Sequence, residues 1–77
     1  MKQSIKTELG RIIKSKRIEK NFTQNKVADA TNISRNYLSD IENGRYVPSV
    51  DTLTKIARFL NMDLNFLLKM TEIQDKI

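Results

Sequence analysis

The sequence predicts a small all-α domain of five helices, and three features predict it. Apolar residues recur at helical spacing: Leu9, Ile12 and Ile13 early in the chain, then Leu38 with Ile41, then Val50, Leu53, Ile56, Ala57 and Leu60. Good helix-capping residues stand ahead of the later runs, namely Thr23, Ser34, Ser49 and Asp63. Residues that tolerate left-handed backbone, Asn21, Asn32, Gly44 and Asn61, stand where the runs end.

Size and composition narrow the function. A chain of 77 residues makes one domain, and it buries only ~60–65% of its unfolded surface. The absence of cysteine and histidine removes disulfide staples, ordinary zinc sites and histidine acid–base chemistry. With no glycine-rich phosphate loop or clustered carboxylate pair either, no enzyme, metal or cofactor is expected. The first ten residues, MKQSIKTELG, lack a signal-peptide apolar run, and no stretch is long enough to span a bilayer. A cytoplasmic, nucleoid-associated location without membrane contact is therefore expected. Residues 1–20 carry seven basic side chains against Glu8 and Glu19, and residues 21–77 carry seven against seven. The whole excess of +5 therefore lies in the first quarter of the chain.

Taken in order, residues 1–6 read as a loose N-terminal arm carrying Lys2 and Lys6. The domain proper is expected over residues 7–70. Its first helix should run from about Thr7 to Lys20, with Leu9, Ile13 and Arg17 on one stripe. A guanidinium on an apolar stripe needs a partner, and Glu42, next to inward-facing Ile41, is the candidate. Asn21 ends the helix, and Phe22 packs ahead of the next one as a staple.

Residues 23–43, TQNKVADATNISRNYLSDIEN, read as two short helices joined by a tight turn at Thr31-Asn32-Ile33. Val27, Ala28, Leu38 and Ile41 face inward, with Ala28 small where the helices cross. The outward edge of the second helix holds Arg35, Asn36, Ser39, Asp40 and Asn43. A rigid pair with a polar row of this kind suits reading of the DNA major groove. Arginine forks to guanine O6 and N7, and asparagine pairs with adenine N6 and N7. Arg35, Asn36, Ser39 and Asp40 are therefore the expected base contacts. Asp40 has a competing reading as partner to a nearby base such as Arg45. Gln24, at the start of the first short helix, can bond a phosphate beside backbone N–H groups. Thr23, Gln24, Ser34, Tyr37, Asn43, Arg45, Tyr46, Lys14 and Lys16 make up the expected phosphate contacts. Tyr37 reads equally well as core packing.

Gly44 closes the second helix, and Pro48 keeps Val47 out of a helix. Ser49 caps a fourth helix with Asp51 in its first turn. Asp63 caps a fifth, running to about Met70. Leu64, Phe66, Leu67 and Leu68 are too closely spaced to enter one core together. Leu64, Leu67, Leu68 and Ile73 are accordingly expected at a homodimer interface, joined by the tail of residues 71–77.

Residues 23–43 and their flanks resemble the helix-turn-helix of the Cro and lambdoid-repressor family, also called the Xre family. The resemblance rests on Thr23-Gln24, Val27-Ala28, Ile33-Ser34, Tyr37-Leu38-Ser39, Ile41-Glu42, Asn43-Gly44 and Pro48-Ser49, and covers about Leu9 to Leu68. It implies a lambda-repressor-like fold with the helix-turn-helix at helices 2 and 3. It also implies an internal Arg17–Glu42 ion pair and a Gln24 that anchors the DNA backbone. Asn21 departs from the glycine common at that point, but asparagine can still end a helix. The function so implied is a dimeric, sequence-specific regulator of transcription, a repressor first, bound to double-stranded DNA at a palindromic operator. The alternative is an antitoxin-type protein-interaction module. The feature expected of that alternative is a long extension beyond the helices, and only a few residues follow Met70. No inducer or antirepressor protein is specified by the residues.

Overall fold

In a computed structural model, residues 4–76 are described, with side chains through Thr71. Five helices follow in order: α1 (Ile5–Glu19), α2 (Gln24–Thr31), α3 (Arg35–Glu42), α4 (Val50–Leu60) and α5 (Leu64–Lys76). No strand occurs among the described residues.

Each helix from α1 to α4 begins with a hydroxyl cap. The side chains of Ser4, Thr23, Ser34 and Ser49 accept the backbone N–H three residues on, from Thr7, Lys26, Tyr37 and Thr52. The Asp63 carboxylate caps α5, accepting from the N–H of Asn65 at 3.0 Å and of Phe66 at 3.4 Å. Helices α1 to α4 also end alike. Phe22, Ile33, Arg45 and Met62 donate their N–H groups back to the carbonyls of Arg17, Ala28, Asp40 and Ala57 at 2.8–3.1 Å. Each closure passes through one left-handed residue: Asn21, Asn32, Gly44 and Asn61, with φ of 61°, 58°, 78° and 56°. Asparagine tolerates this backbone. Only at Gly44 is space also short, because a Cβ there would lie 2.9 Å from Thr7 Cα.

The core gathers Leu9 and Ile13 of α1, Val27 and Ala28 of α2, Leu38 and Ile41 of α3, four residues of α4 and Leu67 of α5. Helix α1 packs on α3 and α5, α2 packs on α3 and α4, and α4 packs on α5. The Phe22 ring stacks on Phe59 with centroids 5.1 Å apart, tying the α1–α2 link to α4. Thr31, buried in α2, donates its hydroxyl to Val27 O at 2.7 Å. No helix among the described residues is long and apolar enough to cross a membrane.

Four expectations change. The first helix starts at Ile5, not Thr7, since Ser4 caps it and Ile5 lies one turn before Leu9; Lys6 is therefore helical, and Lys2 lies outside the described residues. The fifth helix continues past Met70 to Lys76, as the residues there include no glycine or proline to stop it. Val50 is exposed because it opens α4 beyond the edge of the core.

The fourth correction is Leu67, expected at an interface and found fully buried. Positions 64, 67 and 68 share one helical stripe, and that stripe faces α1 and α4. Leu64 and Leu68 lie half-buried against the core, while Phe66, on the other side, is 53% exposed. The side chain of Ile73, the remaining expected interface residue, lies outside the described residues, as does Ile77.

Candidate nucleic-acid interface

Helix α3 is held from beneath by three buried side chains, Leu38, Ile41 and Glu42. The helical turn places Asn36, Asp40 and Asn43 on the opposite side, with Ser39 beside them and Arg35 and Tyr37 on the two flanks. Arg35, Asn36 and Asn43 are exposed, and Tyr37, Ser39 and Asp40 are half-buried. Asn43 donates its side-chain amide to Ser39 Oγ at 3.4 Å. All the expected base-reading residues thus come from one short rod whose inner side is fixed.

The last turn of the rod is fixed as well. Glu42, its side chain 1% exposed, accepts from Arg17 Nε at 2.7 Å and Arg17 Nη2 at 3.0 Å. Arg17 Nη1 donates to Phe22 O at 2.9 Å, and Gln24 Nε2 donates to Glu42 Oε1 at 3.0 Å. The Arg17–Glu42 pair therefore joins α1, the α1–α2 link, α2 and α3. No buried side-chain polar atom among the described residues lacks a partner. Gly10 completes the junction: a Cβ there would stand 2.2 Å from Ile41 O and 2.8 Å from Glu42 O. Gly10 carried no expectation from its position, although an isolated glycine inside a helix pattern is a known sign of close packing.

The expected phosphate contacts fall into distinct environments. Thr23 and Ser34 use an acceptor lone pair to cap their helices, which leaves each hydroxyl proton available to an anion. Gln24 gives one amide N–H to Glu42. Its second amide N–H and the unpaired first-turn backbone N–H groups of α2 remain donors. Tyr37 and Tyr46 meet with ring centroids 6.4 Å apart, and Tyr46 is exposed. Arg45 is bound to Asp40, Nη1 to Oδ1 at 2.7 Å.

Lys14 and Lys16 do not form one surface, because two residues of helix turn them about 200° apart. Lys14 is exposed one turn after Gly10, where α1 meets the end of α3. Lys16 is turned away and pairs with Glu19 at 3.2 Å. Arg11 is likewise engaged by Glu8, whose hydrogen bond and negative charge raise the guanidinium pKa further above its usual value.

A capped helix pair with a fixed inner side and an outward polar row is the arrangement of a helix-turn-helix DNA-binding domain. A family model described as Helix-turn-helix matches residues 13–67, and the chain belongs to that family, in its Cro/C1-type or Xre branch of transcriptional regulators. The chain is 60% identical over 67 residues to the ImmF control region 10 kDa protein of Bacillus phage phi105, covering 87% of this chain and 73% of that one. It is 42% identical over 57 residues to the Immunity repressor protein of the same phage, covering 74% of this chain and 40% of that protein's length. Among solved structures, SinR, the master regulator for biofilm formation, in complex with DNA, matches with a TM-score of 0.71 at 33% identity. That match covers 78% of this chain and 97% of the SinR chain.

Proposed function

We propose that this regulator acts as a dimeric repressor that reads a two-fold symmetric operator in double-stranded DNA. The observation that carries the reading is the exposed N-terminal end of α3, where Arg35 and Asn36 stand free beside the capping hydroxyl of Ser34. Two such helices, related by a two-fold axis, would enter successive major grooves about 34 Å apart. Arg35 and Asn36 choose the site. Lys14, Thr23, Gln24 and Ser34 hold the flanking phosphates and make affinity fall with salt.

Likeness to a phage immunity repressor supports repression over activation. The physical means is occlusion: a bound dimer covers a promoter and excludes polymerase. For the dimer contact, Phe66 on the outer side of α5, one of several exposed apolar side chains, is the feature that association through α5 would cover.

Selection of bound sequences from a random duplex library tests the reading. The expected result is a symmetric consensus whose half-sites are centred about 10 base pairs apart. Recovery of unenriched sequence would overturn it.

A further inference from the structure

The acidic residue on the reading edge of α3 is at first sight misplaced. An unpaired carboxylate between two phosphate ridges is repelled by both. Asp40 is not unpaired: Arg45 reaches back from beyond the helix end and binds it.

Three constraints hold Arg45 there. Gly44, at φ 78°, reverses the chain. The Arg45 N–H donates to Asp40 O at 2.9 Å, so backbone and side chain both return to the same residue. The next ring, Tyr46, lies against Tyr37 on the flank of α3. The guanidinium is therefore kept beside the row formed by Asn36, Asp40 and Asn43.

We infer that Arg45 reads a base, with Asp40 as its positioning residue, so that the loop after the recognition helix helps choose the sequence. The inference rests on the DNA-reading role proposed for α3. The Asp40 contact engages Nη1, which leaves the fork of Nε and Nη2 free, and that fork matches guanine O6 and N7. Charge favours the same partner. A carboxylate beside the guanidinium weakens its hold on an anionic phosphate, whereas a guanine edge is neutral and keeps the benefit of a well-aimed donor pair. A loop arginine whose task was phosphate binding would be better without Asp40.

The test is site selection from the random duplex library, run on the parent and on the Arg45→Ala, Arg45→Lys and Asp40→Asn variants, with the salt dependence of each on the parent's best site. Both residues are at the surface, and thermal melts check that the variants fold. The expected result is a guanine in each half-site whose preference falls roughly tenfold or more in Arg45→Ala. Arg45→Lys and Asp40→Asn should weaken that same position and leave the others intact. Equal loss on all sequences, with a salt slope lower by about one, would make Arg45 a phosphate contact and overturn the inference. So would a gain in affinity on every sequence in Asp40→Asn, or a change at a cytosine position that Arg45→Ala leaves alone. A parent that enriches no sequence would sink the operator reading itself, and the inference with it. A parent with a clear consensus untouched by these variants would sink the inference alone.

Discussion

Gly10 of α1 lies directly against the carbonyl of Ile41, where an added Cβ would stand 2.2 Å from the oxygen. Replacing an exposed helical glycine with alanine normally gains about 0.5–1 kcal/mol from the unfolded chain. Here the obstacle is backbone, which cannot rotate aside. Gly10→Ala should therefore destabilise the fold by about 1–3 kcal/mol, read as a lower thermal midpoint. It should also lower DNA affinity in the folded fraction, since the end of α3 must shift.

Arg17 and Glu42 form a nearly buried ion pair, and loss of either partner strands the other charge. Glu42→Leu or Arg17→Met alone should lose about 3–5 kcal/mol of stability. The double variant Arg17→Met with Glu42→Leu should recover much of that. Denaturant melts of the four proteins complete the cycle; an additive double variant would mean the two side chains act separately.

Left-handed closures predict an asymmetry between asparagine and glycine. Asn32→Gly and Asn61→Gly should change stability by only a few tenths of a kcal/mol. Gly44→Ala should lose more than about 1 kcal/mol, from strained backbone together with the crowding against Thr7. Equal effects at the three sites would show that neither the left-handed backbone nor Thr7 constrains position 44.

Leu67 and Phe66 are neighbours with opposite environments. Leu67→Glu should unfold the domain, because it places a carboxylate in the core. Phe66→Glu should leave the helical circular dichroism intact and shift sedimentation from dimer towards monomer. A Phe66→Glu protein as dimeric as the parent would place the contact on another surface.

Arg35→Ala should weaken the cognate site far more than random DNA. Lys14→Ala should weaken both alike and flatten the salt dependence by about one unit for the phosphate it no longer neutralises. Lys16→Ala, on the other side of α1, should leave the slope unchanged.

Features set by neighbours in sequence were legible in the chain itself. Thr23, Ser34, Ser49 and Asp63 cap helices, and Asn21, Asn32 and Asn61 close them, because both roles are decided within two to five residues. The Arg17–Glu42 pairing, 25 residues apart, was also legible, since a cation on an apolar stripe has few ways to be satisfied. Features that depend on how two helices approach were not. Gly10 gave no sign of which backbone it would touch. The row Leu64-Phe66-Leu67-Leu68 showed that something must be left out, and only the α5 packing angle decided that it was Phe66. Lys14 and Lys16 were both expected at phosphates, but two residues of helix turn them to opposite sides, which the order of charges along the chain does not show.

Because α3 is gripped along its underside and at its final turn, its outer edge carries little of the weight of the fold. Substitutions at 35, 36, 39 and 43 should therefore accumulate without loosening the molecule, and under the proposed reading role the choice of operator would drift while the scaffold stays fixed. New specificities are then reachable by small steps, each intermediate still a stable protein.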